Sequence, residues 1–178
     1  MRYPDQRAKV LTMDALSLHR IAEFAAAEIA RGNGETTISR VSTDSRTIKR
    51  GDLFVALRGE HFDAHNFLDQ VAKAGAAGAL VSQDPPPGLP QTFAILRAAD
   101  TLLAYQNLAA NYRKTLPLKV LGITGSNGKT STKDFAASIL GRAFRVTKTE
   151  GNFNNHVGLP RTMLEANRDH QFAVYGIA

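Results

Sequence analysis

The stretch GITGSNGKTS at residues 122–131 limits what this chain can fold into more than any other segment. An apolar run at 118–123 leads into it, and a helical pattern at 129–140 leads out. A strand that enters a glycine-rich turn and leaves it as a helix gathers free backbone N–H groups around an anion. Gly125 and Gly128 have no side chain to obstruct a phosphate. Lys129 is placed to reach terminal phosphates, and the Thr130 hydroxyl to ligate Mg²⁺. The strict phosphate-loop expression wants glycine at position 123, where the chain has Ile123, and Gly125 takes over the tight turn. The competing reading is a glycine-rich turn that starts a helix without a ligand. Gly-Lys-Thr in a strand–helix context favours ATP or GTP.

The rest of the chain supplies an α/β frame for this unit. Helical spacing covers 17–30, with Ser17 as N-cap and Gly32 just beyond, then 64–75 and 99–114. Strand-like runs lie at 37–41, 52–57, 78–82 and 92–96, the last two separated by the stiff PPPGLP turn at 85–90. After a break at 114–117 come the strand 118–123, the loop 124–128 and the helix 129–140. A strand at 143–148, a short helix at 158–166 and a strand at 172–175 follow. Alternating strands and helices predict a largely parallel sheet. We place a domain boundary near residue 115, where a new strand–loop–helix unit begins.

Of 178 residues, 43% are hydrophobic and 21% charged, which excludes a disordered or low-complexity chain. Lys and Arg total 22 against 16 Asp and Glu, a formal charge of +6. That charge is dispersed, so it suits an anionic small ligand and not a nucleic-acid tract. Cysteine is absent, which removes disulfides, thiolate metal sites and a cysteine nucleophile. No apolar run approaches the roughly 18 residues of a membrane span, and the first 16 residues lack the apolar core of a signal peptide. A soluble cytoplasmic protein is the expectation.

Two further clusters carry polar chemistry. GNFNNHVGLP at 151–160 sets Asn152, Asn154 and Asn155 among glycines. Their amides can donate and accept toward phosphate or sugar hydroxyls, although Asn and Gly also favour simple turns, and composition alone prefers the turn. His156 has no second ligand at metal spacing. In VSTDSRTIKRGDLFVALRGEHFDAH at 41–65, Thr43, Asp44, Ser45 and Arg46 stand between two strands, with His65 in a later loop. Hydroxyls and arginine at strand ends suit an anionic, hydroxylated ligand; a local Asp–Arg turn contact explains them equally.

Taken in order, these three clusters resemble the Mur ligases, which build the peptide stem of peptidoglycan. STDSRTIKRGDLFVALRGEHFDAHNF resembles their N-terminal substrate-recognition domain, and GITGSNGKTSTK their ATP-binding loop. TEGNFNNHVGLPRTML is similar to the member that adds D-alanyl-D-alanine to UDP-N-acetylmuramoyl-tripeptide; the member that adds the third stem residue typically carries a Thr-Thr-Pro-type loop there.

The resemblance implies an N-terminal Mur-ligase-type recognition domain at 13–115, then the start of a P-loop ATPase α/β domain at 116–178. Residues 1–12 form an extension without a counterpart. It assigns ATP to Gly125, Ser126, Asn127, Gly128, Lys129, Thr130 and Ser131, with Lys129 on the γ-phosphate and Thr130 on Mg²⁺. It places Asn152, Asn154 and Asn155 near the nucleotide and the incoming substrate. Thr43, Asp44, Ser45, Arg46 and the loop at His65 would hold the UDP-sugar. The implied reaction phosphorylates a terminal carboxylate, which the amine of the dipeptide then attacks. The family usually has an acidic residue where Gly176 stands, and its members continue through further ATPase and C-terminal segments. The expectation is therefore a fragment without turnover of its own. A ligase for the third stem residue, a non-catalytic nucleotide or UDP-sugar binder, and a generic P-loop NTPase are the other readings.

Overall fold

The computed structural model describes residues 12–151 and 153–177. The mixed α/β architecture matches expectation, with strands β4–β7 and β8–β10 parallel within their sheets. The first large sheet runs β2 (Glu28–Arg31), β7 (Ala94–Arg97), β6 (Gly78–Val81), β5 (Leu53–Val55), β4 (Val41–Ser42). Strands β5 and β6 are buried along their whole length, as strands covered on both faces must be. A small antiparallel pair, β1 (Leu16–Ser17) with β3 (Thr37–Ile38), borders it. The second sheet runs β8 (Lys119–Ile123), β10 (Phe172–Gly176), β9 (Val146–Lys148).

Helix α1 (Leu18–Ala25) is shorter than its periodicity suggests. Ser17 caps it, accepting from the Arg20 N–H, but Ala26 turns left-handed (φ 52°, ψ 46°) and ends it. Residues 28–31 then pair antiparallel with β7 and are a strand, not helix. Their alternating exposure fits an edge strand, and the ladder to β7 outweighs a helical propensity that differs only by tenths of a kcal/mol per residue. The expected strand at 37–41 is likewise split, Thr37–Ile38 pairing with β1 and Val41–Ser42 with β5. The helix expected at 64–75 opens as a 3₁₀ turn, Ala64–Phe67, before α2 (Leu68–Lys73).

Helix α3 (Thr101–Thr115) starts cleanly because the Asp100 carboxylate accepts from the N–H groups of Leu102 and Leu103. Its buried stripe of Tyr105, Leu108, Ala109 and Tyr112 joins one apolar core that runs from Leu18 and Ile21 of α1 to Leu164, Ala173 and Tyr175 of the second unit. A second core, around Phe54, Leu68, Val71 and Ile95, fills the other face of the first sheet. Helices α4 (Lys129–Leu140) and α5 (Gly158–Leu164) complete the second unit. The chain thus changes sheets just after residue 115, while a single core crosses that point.

The Tyr112 hydroxyl secures this crossing. It accepts from the Asp14 N–H at 2.8 Å and donates to the Ala166 carbonyl at 2.8 Å. Replacing Tyr112 with Phe should leave both backbone groups unpaired and cost about 1–3 kcal/mol. Urea denaturation should show a lower midpoint with an unchanged slope.

Candidate functional site

Strand β8 ends at Ile123, opposite Gly176 of β10, and the chain turns through 124–128 into α4. Gly125 (φ +144°) and Gly128 (φ +75°) hold backbone conformations that L side chains rarely adopt, and a Cβ at Gly128 would meet nothing within 4 Å. Gly128 is the N-cap and contributes no side-chain cap, and the first turn of α4 has no acidic residue. The N–H groups at the start of a 12-residue helix therefore face outward unneutralised, with the favourable field that such an end gives an anion. Ser126, Asn127, Thr130 and Ser131 are exposed around it. The Lys129 ammonium folds back onto the Gly125 carbonyl. That neutral acceptor is one a phosphate would outcompete.

The loop after β9 passes beside this unit. Asn154 is half-buried, while Asn155 turns its Oδ1 onto the N–H groups of Val157 and Gly158 at 3.1 and 2.8 Å and so starts α5. Gly158 is needed for close approach, since a Cβ there would sit 2.5 Å from Phe153 Cα. Asn152 lies outside the described residues.

In the first unit, Asp44 caps the 3₁₀ turn Ser45–Thr47. It accepts from the Arg46 N–H at 3.0 Å and pairs with the Arg46 guanidinium through two contacts of 2.9 Å. That guanidinium, together with the backbone hydrogen bond, holds the Asp44 carboxyl at about 2. Thr43, Asp44, Ser45 and Arg46 form one rim of a cavity of about 500 Å³, and Phe62, Phe67, Phe54 and Gln70 form the other. Phe62 and Phe67 stack with ring centroids 5.6 Å apart, leaving an aromatic wall opposite a charged, hydroxylated rim.

His65, by contrast, is 5% exposed and committed to the fold. Its Nε2 accepts from the Ser82 N–H at 3.0 Å, which places the ring proton on Nδ1, donated to Asp63 at 2.6 Å. Neither nitrogen faces a ligand.

The periodicity of the sequence does not reveal the residues that join the two units. A cleft of about 160 Å³ opens between the Asp44 turn and α5, lined among others by Thr43, Asp44, Arg40, Tyr105, Arg161 and Glu165. The Arg161 guanidinium lies 5.0 Å over the Phe153 ring and donates to Glu165 at 2.9 Å. Arg40 is spent on the buried Asp52 carboxylate and the Thr47 carbonyl. Arg161, six residues after Asn155, was the available signal, and only the fold brings it to the cleft at Asp44.

Two family models account for most of the chain. One, described as the Mur ligase middle domain, matches residues 123–176; the other, the Mur ligase family catalytic domain, matches 37–113. The chain belongs to the Mur ligase family. A Mur ligase of Bacillus subtilis, UDP-N-acetylmuramoyl-tripeptide–D-alanyl-D-alanine ligase, is 43% identical over 159 residues, which is 89% of this chain and 35% of that protein. The crystal structure of MurF from Acinetobacter baumannii superposes with a TM-score of 0.83 at 38% identity, over 93% of this chain and 36% of that one. MurF from Thermotoga maritima, solved in complex with ADP, gives 0.68 at 29% identity, over 77% of this chain and 31% of that one. The chain thus spans about a third of the length of the relatives it matches.

The Asp44–Arg46 pair gives this Mur ligase chain a directly measurable property. Because the folded pKa lies below the ordinary value of 3.8, the pair's contribution is complete above pH 4 and is lost as pH falls toward about 2. Both partners are substantially exposed, so the effect on stability is small. Arg46→Leu removes the guanidinium but keeps the backbone N–H, so the Asp44 carboxyl titration, followed by NMR, should move up from about 2 toward the ordinary value without the guanidinium's share of the lowering.

Proposed function

We propose that the chain carries the UDP-sugar-peptide recognition domain (13–115) and the first part of the ATP-binding domain (116–178) of a bacterial ligase. That ligase joins D-alanyl-D-alanine to UDP-N-acetylmuramoyl-tripeptide in the cytoplasm, during peptidoglycan synthesis. The observation that carries this reading is the open phosphate loop at the start of α4, in a chain whose relatives bear the name of that ligase. Among the described residues no helix is long and apolar enough to cross a membrane, which fits an enzyme working on dissolved substrates.

The loop fits a nucleotide. Gly125 and Gly128 leave backbone N–H groups approachable, and Lys129 has only a carbonyl to give up. A carboxylate is a poor electrophile at neutral pH, and ATP supplies the phosphoryl group that gives it a leaving group. Lys129 would hold the transferring phosphate against the helix end, so that charge builds up where N–H groups and an ammonium already point. The exposed Thr130 hydroxyl would contribute one Mg²⁺ ligand. Among the described residues no group of three or more His, Cys, Asp or Glu could hold a metal ion, and Gly176 at the adjacent strand end adds no carboxylate. Of these residues Thr130 is the one that would offer the ion a ligand, and the ion would supply charge neutralisation on the nucleotide's phosphates.

At the other end, the cavity between the Asp44–Arg46 rim and the Phe62–Phe67 wall suits the UDP-sugar. Its rings would lie on the aromatics, while Ser45 and Arg46 offer hydrogen-bond donors to polar edges. The cleft at Arg161 leads from this rim toward the asparagine loop, the direction in which a sugar-linked peptide would run toward the phosphate loop.

Calorimetry on this chain tests the reading. Binding of UDP-N-acetylmuramoyl-tripeptide and of Mg·ADP is expected, with Lys129→Met weakening the nucleotide about tenfold or more and leaving the tripeptide ligand unaffected. Equal or tighter binding of the corresponding dipeptide would favour the ligase for the third stem residue. No heat with either the tripeptide or Mg·ADP would overturn the proposal.

A further inference from the structure

Lys133 is a buried cation in a place where an apolar side chain would pack. It follows Lys129 by one turn on α4 and is 3% exposed. Its stem crosses the end of β10, where a Cβ on Gly176 would lie 3.7 Å from Lys133 Cδ and 3.9 Å from Asn154 Cβ. Burying an ammonium costs several kcal/mol before any partner is counted, and methionine would fill the same volume without that cost. The charge adds a directed bond. Nζ donates to the Gly151 carbonyl at 3.2 Å, across 18 residues of sequence. The nearest carboxylate, Asp134, is 3.9 Å away and is already bonded by Lys148 at 2.8 Å, so the Gly151 carbonyl is the closer contact.

This bond ties the loop between β9 and α5 to the helix that begins at the phosphate loop. The loop's two ends are anchored separately. The Thr149 hydroxyl accepts from the Gly176 N–H at 3.3 Å, and Asn155 starts α5. Between those anchors, Gly151 sits at φ +47° with its carbonyl aimed at Lys133. The two lysines of α4 therefore each take a carbonyl from a neighbouring loop: Lys129 that of Gly125, and Lys133 that of Gly151. The first is exposed enough to exchange its acceptor for a phosphate; the second is sealed in place.

We propose that Lys133 is a positioning residue that locks the asparagine loop to the phosphate-loop helix, so that Asn154 keeps a fixed place relative to a nucleotide bound at the start of α4. The proposal rests on reading 124–131 as the nucleotide loop, so its test is made without nucleotide. Hydrogen exchange followed by mass spectrometry on the whole chain should show peptides spanning 149–158 exchanging about tenfold faster in Lys133→Met than in the unaltered protein. Peptides of α4 and β10 should keep their protection, the melting temperature should hold or rise, and Lys133→Arg, which retains a donor, should restore slow exchange. Unchanged exchange at 149–158 in Lys133→Met would overturn the proposal. So would faster exchange spread evenly over the second sheet with a lower melting temperature, the mark of a general packing role. Should Lys133→Met not fold, Lys133→Gln is read by the same criteria. A Mg·ADP titration of the unaltered chain tests the nucleotide reading by itself, so the two failures are distinguishable.

Discussion

Everything else in this fold depends on α3 being buried along one stripe between α1 of the first unit and α5 of the second. Tyr105, Leu108, Ala109 and Tyr112 lie in a core shared by α1, the first sheet and the end of the second unit. A helix used this way cannot rotate or slide without opening a cavity on one side, and cavities in close-packed cores cost several kcal/mol. Tyr112 adds a polar lock, because its hydroxyl has a backbone donor on one side and a backbone acceptor on the other. Tyr105, two turns earlier on the same stripe, is buried enough that its hydroxyl resists ionisation well beyond its ordinary range. It lines the cleft between Asp44 and Arg161. The packing that holds the units together therefore also builds one wall of the cleft between the Asp44 turn and α5.

Periodicity was a reliable guide where neighbours agreed with it, and failed where a distant strand had the deciding vote. Lys129–Leu140 is helical over the span that its spacing predicts, since a glycine turn starts it and Gly141 ends it. Residues 26–30 carry the same apolar spacing, yet the exposed ladder of β7 takes Glu28–Arg31 as an antiparallel edge. Nothing within a window of a dozen residues distinguishes these two cases. The competing partner of α1's last turn lies more than 60 residues away.

The candidate sites divide along the same line. Gly125, Gly128, Lys129 and Thr130 are legible as a candidate group because a glycine turn opening a helix is made by consecutive residues, and the structure forms that turn where the spacing puts it. Thr43 to Arg46 were legible as a group, but their aromatic counterpart, Phe62 with Phe67, comes from the turn before α2 and is placed by tertiary folding. His65 and Asn155 show the reverse. Both residue types suit ligands, and both find a partner two or three residues away, His65 in Asp63 and Asn155 at the start of α5, with Ser82 closing the second nitrogen of His65 from 17 residues on. A polar side chain next to a turn has an acceptor or donor at short range at almost no entropic cost, so such residues are the ones that composition overestimates.

The placement of charge in the second unit follows from which flank of α4 is covered. Asp134 reaches Lys148 on β9, so that flank of the helix faces the β9 side of the sheet. Phe135 and Ile139 of α4 are 70% and 68% exposed, and Val120 and Leu121 of the edge strand β8 are uncovered as well. The acid of α4 is thus drawn to the side away from that edge, and it is neutralised there by a lysine, while the start of the helix keeps its field without a carboxylate nearby. An anion approaching the start of α4 meets N–H groups and Lys129 with no carboxylate in the first turn. The start of α4 thus keeps its positive end free of carboxylates, and Lys133, buried one turn along, adds a second ammonium held by a backbone carbonyl.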